Sequence, residues 1–152
     1  MFYMKVKDIV KPAVIIPETK TFASALKSLM TEHTNTLLVT NDNGELVGEV
    51  TVADLLNAVV PDTLDGSEVI GHFNNDDSFI ASIEVAKELP VSEIMSRDYS
   101  ALTLNDNLIT IIATAITYER ARIPVVDTDN RPIGIISRQG LKQILAKFME
   151  AS

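Results

Sequence analysis

The chain says the same thing twice. Phe22, Ala25, Leu26, Leu29 and Met30 return as Leu108, Ile111, Ile112, Ala115 and Ile116, and Gly48-Glu49-Val50-Thr51 returns as Gly134-Ile135-Ile136-Ser137, both at an offset of 86 residues. Two copies of one unit are expected to fold alike and to be able to hold a ligand between them. Each position where the copies disagree has been released from, or recruited to, a special role.

Within each copy the order is constant. A short segment (Val6 to Val10, then Val91 to Met95) leads into an extended stretch, Ala13 to Ile16 and Tyr99 to Leu102. Polar residues suited to capping follow, Thr19 to Thr21 and Asn105 to Asn107, and then the apolar positions spaced 0, 3, 4, 7 and 8 that line one face of a helix. That stripe is read first as a core face, since burying each such side chain contributes roughly 1.5–3 kcal/mol. Two hairpins follow, turning at Asn41-Asp42-Asn43-Gly44 and Asp127-Thr128-Asp129-Asn130. Gly44 and Asn130 are equivalent, and both residue types tolerate a left-handed turn conformation. A closing helix completes each copy, Val52 to about Val60 and Arg138 to about Met149.

The reading is therefore α+β, with two βαββα units at residues 1–60 and 90–152 joined by an ordered connector at 61–89. Units of roughly 60 residues are marginal alone, so they are expected to share one core. In the connector, Phe79 to Glu88 has the pattern of a short helix stopped before Pro90, with Val69, Ile70, Phe73, Phe79 and Ile80 as apolar anchors. Hydrophobic residues make up 46% of the chain, and the surplus is assigned to an oligomer interface.

Thirteen basic against 21 acidic residues give a net charge of -8, which opposes a nucleic-acid partner. All the arginines, Arg97, Arg120, Arg122, Arg131 and Arg138, nonetheless fall in the second half, so a local anion site is compatible with the sequence. There is no cysteine, which excludes disulfides, thiolate nucleophiles and Cys-ligated zinc. The first residues lack the apolar run of a secretory signal, and no apolar stretch approaches membrane-spanning length, so a cytoplasmic protein without a membrane partner is expected. His33 and His72 are the only histidines, and neither stands in a metal or acid–base motif. Without a phosphate loop or a Gly-x-Ser-x-Gly elbow, no catalytic residue and no metal ligand is identified.

The residues that repeat also resemble a known family. Ile123-Pro124-Val125-Val126-Asp127 followed by Pro132-Ile133-Gly134-Ile135-Ile136-Ser137, with its first-copy counterpart Leu37 to Asp54, is similar to a tandem pair of cystathionine-β-synthase (CBS) domains, a Bateman module, from Val6 to Val60 and Val91 to about Ala146. The resemblance implies that the two units pack about a pseudo-twofold axis into one compact module and leave two clefts. Such clefts bind adenine-containing ligands (AMP, ADP, ATP or S-adenosylmethionine), and the modules dimerise through helices.

The family's ribose motif stands here as Gly48-Glu49-Val50-Thr51-Val52-Ala53-Asp54. Thr51 as N-cap would put Asp54 in the positive first turn of a helix, where its carboxylate could accept both ribose hydroxyls. The same Thr-x-x-Asp is also an ordinary capping box that needs no ligand, and one threonine can do both. By analogy, Met95, Ser100, Ala121, Ile123 and Pro124 would flank adenine, and Arg120 and Arg122 would meet phosphate through their planar forks. The second cleft, with Val14, Thr36 and Ser137, has Gly140 where the acid should be, so it is expected to be weak, empty or altered.

The function expected from the sequence is a non-catalytic regulatory module that needs no cofactor. It binds an adenine nucleotide between its units and signals to an unidentified partner protein, as a homodimer. The rival readings are a ligand-free structural dimerisation module and a nucleotide-hydrolysing enzyme.

Overall fold

The computed structural model describes residues 4–60, 76–117 and 122–151. Its elements are a 3-10 turn at Val6–Asp8, β1 (Ile15–Pro17), α1 (Phe22–Thr31), β2 (Thr36–Thr40), β3 (Leu46–Thr51), α2 (Val52–Val59), α3 (Asp76–Ala86), α4 (Val91–Ile94), α5 (Leu108–Thr117), β4 (Ile123–Val126), β5 (Pro132–Ile136) and α6 (Arg138–Ala151). Helices and strands alternate irregularly through both copies, and the class is α+β.

Local chemistry sets most boundaries. Ser24 N–H donates to Thr21 Oγ1 at 3.3 Å and Thr110 N–H to Asn107 Oδ1 at 3.0 Å, so the expected polar residues do cap α1 and α5. Gly44 (φ 79°) and Asn130 (φ 62°) take the left-handed positions of their turns. His33 joins them at φ 52°, just past α1, where its N–H donates to the Met30 carbonyl and Thr34 N–H to that of Leu29. The histidine's place is thus a helix stop. The connector helix begins at Asp76, three residues earlier than its apolar pattern, with Asp76 and Asp77 in the positive first turn. On its surface Glu84 lies 2.6 Å from Lys87 Nζ and, through that hydrogen bond and its charge, holds the lysine above its usual pKa.

Contacts gather the chain into two units that do not follow its order. One holds Val14–Asn41 and Val47–Arg97; the other holds the chain up to Ala13, Asp42–Leu46 and everything from Asp98 onward. Each leading segment thus belongs with the other copy's sheet. In the first unit β1 lies parallel to β2 with Ile15 opposite Leu38, β3 is the third strand, and Glu49 forms a bridge with Ser96, N–H to carbonyl at 3.0 and 2.8 Å. In the second, β4 and β5 are antiparallel with Ile123 opposite Ile136, and Lys11 bridges Ile135 at 2.8 and 2.9 Å. The second copy's extended stretch is reduced to one parallel bridge, Leu102 to Val125. Asp42–Leu46 joins the second unit because Leu46 N–H donates to the Asn130 carbonyl at 2.8 Å, while Asn130 Nδ2 and the Tyr99 hydroxyl donate to the Leu46 carbonyl, both at 3.1 Å.

Each unit has its own apolar cluster, where the sequence suggested one shared core. Ile16, Phe22, Leu29, Leu37, Val50 and Leu55 are joined in the first by Val91 and Met95. Leu102, Ile111, Ile123, Val125, Ile136 and Ile144 are joined in the second by Met4, Val6 and Ile9. The exchanged segments supply the apolar surface that a unit of this size otherwise lacks.

Two glycines make the exchange possible. A Cβ at Gly48 would sit 2.6 Å from Met95 Sδ and 3.0 Å from the Ser96 carbonyl, and one at Gly134 would land on the Lys11 carbonyl oxygen and 2.6 Å from Val10 Cγ2. The glycine that opens each repeat of the motif is there to let a backbone in.

The helical stripes are narrower than their spacing suggested. Phe22, Ala25 and Leu29 are buried, but Leu26 and Met30 face outward, Met30 with 68% of its surface exposed. Ile116, its counterpart on α5, is exposed likewise, and so is Ile80 of the connector, read from sequence as an anchor. Only the residues aimed at the cluster have something to bury against.

Candidate functional site

β3 stops and α2 starts at Thr51. Asp54 N–H donates to Thr51 Oγ1 at 3.3 Å, while Asp54 Oδ2 accepts the Thr51 N–H at 2.8 Å and its hydroxyl at 3.1 Å. The capping box is formed. All three bonds leave Oδ1 uninvolved, so a half-buried carboxylate is held in fixed orientation in the first turn of α2, where the helix dipole stabilises its charge.

Asp54 opens onto a depression of about 460 Å3 lined also by Asn57, Ala58 and Val60 and, from the second copy's leading segment, by Leu89, Glu93 and Ile94. Its size falls in the small-molecule range of roughly 300–1,000 Å3. The other unit has an equivalent depression, also of about 460 Å3, with Met4, Asp8 and Ile9 facing Gln143, Ala146, Lys147 and Glu150. Position by position Leu89, Glu93 and Ile94 answer Met4, Asp8 and Ile9, and Asn57 and Val60 answer Gln143 and Ala146. The sequence reading passed over Asn57 and Glu93. Their signal was the repetition of an acid before an isoleucine in both leading segments and of an amide in both closing helices.

The remaining sequence candidates divide between the units. Met95 belongs to the Asp54 unit, but its side chain is buried with its sulfur against Gly48. Val14 and Thr36 lie in the same unit, Val14 accepting the Leu38 N–H at 2.9 Å and Thr36 donating its N–H to Thr34 Oγ1 at 3.4 Å. Ser100, Arg122, Ile123, Pro124 and Ser137 lie in the other unit. Ile123 is turned into that unit's cluster, so only its backbone is left to touch a ligand; Pro124, the next residue on β4, points to the opposite face and is buried too. Arg120 and Ala121 lie outside the described residues, as does His72.

Gly140 stands where the second carboxylate would be. Its N–H already donates to Ser137 Oγ at 3.2 Å, one half of a capping box, and a Cβ there would meet Ile136 Cγ2 at 3.4 Å and the Ile9 carbonyl oxygen at 3.6 Å, both tolerable. Gly140→Asp is therefore expected to complete the box and remove a helical glycine. About 1 kcal/mol of added stability follows, a rise in melting temperature of roughly 2–4 °C by calorimetry. No gain, or a loss, would mean that the equivalence with Asp54 fails at this position.

Among the described residues no group of three or more His, Asp or Glu is placed to hold a metal ion, and no helix is long and apolar enough to cross a membrane. The family model for the CBS domain matches residues 6–61 and 91–147. An L-aspartate semialdehyde sulfurtransferase of Methanosarcina acetivorans is 27% identical over 143 residues, which cover 93% of this chain and 24% of that protein, so the chain spans about a quarter of that relative. The CBS-pair protein CBSX2 from Arabidopsis thaliana superposes with a TM-score of 0.75 at 22% identity, covering 98% of this chain and 99% of that one. The CBS domain pair of protein MJ0100, solved in complex with 5′-methylthioadenosine and S-adenosyl-L-methionine, superposes with a TM-score of 0.71 at 21% identity, covering 96% and 98%. At these identities the likeness to solved structures speaks to the fold.

Proposed function

Because the chain belongs to the CBS domain family, with both of its repeats matched, we propose that it is a non-catalytic, cytoplasmic sensing module for an adenine-containing small molecule (AMP, ADP, ATP or S-adenosylmethionine) whose occupancy it passes to a partner protein. Thr51 and Asp54 take the ribose. Ser100, Pro124, Ala121 and the backbones of Met95 and Ile123 contact adenine, and Arg122 with Arg120 meets phosphate where the ligand has one. Val14, Thr36 and Ser137 form the weaker second site. The observation that carries this reading is the Asp54 carboxylate, fixed by the Thr51 N–H and hydroxyl through one oxygen, with the other left uninvolved in those bonds. The pair MJ0100, whose structure contains two adenosine derivatives, supports the ligand class. The module is a homodimer joined through the apolar groove of about 380 Å3 between α1 and α2, where Leu26, Met30, Val52 and Leu56 are exposed.

A second reading, a structural module without ligand, is favoured by the same capping box, which satisfies itself, and by Gly140. Melting curves separate the two. A ligand present at 100 times its Kd adds about 2.7 kcal/mol, which for a chain of this size is roughly 5–10 °C. At least one of AMP, ADP, ATP and S-adenosylmethionine is expected to produce that shift, and incubation with ATP and magnesium is expected to yield no product. If none of the four shifts the transition, the sensing reading falls and the structural one stands.

A further inference from the structure

The charge of the molecule is not shared evenly between its units. Among the described residues the unit that holds Asp54 carries nine acidic side chains against four basic, whereas the other carries eight of each. The acidic excess therefore belongs to one half of a chain built from two copies of one pattern. Such a half attracts basic partners and repels acidic ones.

The same unit has a groove that the repeat alone does not build. Beside the depression that Asp54 opens onto lies a second, of about 370 Å3, between Ala58 and Val59 of α2 and Ala81, Val85 and Ala86 of α3. Ala58 and Leu89 line both, so the two run together along α2. The α3 wall comes from the connector, which has no counterpart in the second copy. At that end the groove is apolar and its small side chains allow close approach. At the other end stand the Asp54 and Glu93 carboxylates and the Asn57 amide, and among the described residues no lysine or arginine lines either part. The equivalent depression of the other unit instead sets Lys147 beside Asp8 and Glu150.

This pairing of acid with an apolar trough selects its occupant. A phosphate-bearing ligand is repelled by two carboxylates, a metal ion leaves the trough empty, and a wholly apolar segment leaves the acids covered and unpaired, which is costly. A cationic side chain next to an apolar one satisfies both parts. We propose that the groove is the docking surface for a basic segment of a partner protein, which seats an apolar side chain over Ala81 and Val85 and a neighbouring lysine or arginine on Glu93 and Asp54. The groove is separate from the α1–α2 groove assigned to the homodimer, which α3 meets with Phe79 and Ile83. The proposal gives a chemistry to the partner protein of the sensing reading, and it stands whether or not an adenine ligand binds.

The probes are three fluorescein-labelled peptides in which leucine is followed by Lys-Arg directly, after one serine or after two, between Gly-Ser flanks. They are titrated with the full-length protein at low salt and followed by anisotropy. At least one is expected to bind saturably, and its version with serine in place of leucine more than about tenfold more weakly. Glu93→Lys and Asn57→Lys, both at exposed positions and each checked for an unchanged melting temperature, are expected to weaken binding more than about tenfold. Glu32→Lys makes the same change of charge in the same unit, at the exposed end of α1 outside the groove, and is expected to alter binding less than about threefold. Absence of saturable binding by all three peptides, or binding indifferent to the leucine, overturns the proposal. So does an equal loss in Glu32→Lys and Glu93→Lys, since the attraction would then be to the charge of the unit and not to the groove. A rise in melting temperature with calcium that Glu93→Lys abolishes would give the acids to a metal ion, and sedimentation showing that Glu93→Lys turns a dimer into a monomer would give the groove to a second copy. Either has the same consequence.

Discussion

Gly134→Ala is expected to lower the melting temperature by about 6–12 °C, and Gly48→Ala by only about 2–4 °C. Both glycines sit where the other copy's leading segment crosses the sheet, but the atoms an added methyl group would meet differ. At Gly134 it would strike the Lys11 carbonyl, which is fixed by paired hydrogen bonds between Lys11 and Ile135 at 2.8 and 2.9 Å. Relief there requires moving backbone and breaking the bridge. Overpacking of this kind costs about 3 kcal/mol, the upper part of its usual range, and a chain of this length loses roughly 2–4 °C per kcal/mol. At Gly48 the nearest atoms are Sδ and Cγ of Met95, a flexible side chain that can turn away, and the Ser96 carbonyl oxygen at 3.0 Å has only to give slightly, so about 1 kcal/mol is expected. Differential scanning calorimetry of the two variants reads the comparison directly. Equal losses, or a smaller loss at Gly134, would mean that the leading segments are not held as described.

This exchange is also where the sequence was least legible. Periodicity and punctuation are local properties, and they located what is local: the Thr21 and Asn107 caps, the left-handed Gly44 and Asn130, and the Thr51–Asp54 box. The repeat also carried the fold class. What periodicity does not encode is the partner. Val6 and Ile9 read equally well as packing on their own copy or on the other, and only the close approach at Gly134 distinguishes the two. A five-position stripe likewise defines a face without its cover, which is why Met30 and Ile116 read as core and stand exposed. Met95 and Ile123 matched a ligand wall by analogy, but an apolar residue beside a cleft and one in a cluster look alike in sequence, and burial places both in clusters.

The candidate site itself separates into a structural and a ligand-binding part through one substitution. Asp54→Asn keeps an acceptor oxygen for the Thr51 N–H and so preserves most of the cap, and the melting temperature of the unliganded protein is expected to fall by less than about 2–4 °C, the equivalent of about 1 kcal/mol. The amide, however, removes the negative charge from the group proposed to accept the ribose hydroxyls. Hydrogen bonds to a charged group contribute roughly 1.5–3 kcal/mol each, against about 1 kcal/mol for neutral ones. Exchanging two of the first kind for at most two of the second costs about 1–4 kcal/mol, a loss of affinity between roughly fivefold and several hundredfold. Titration calorimetry with whichever adenine ligand stabilises the wild type is expected to show that loss, with Glu45→Gln, an acid of the turn between β2 and β3, leaving affinity unchanged. Should Asp54→Asn bind as tightly as the wild type, the carboxylate serves the helix alone, and the ribose must be held elsewhere.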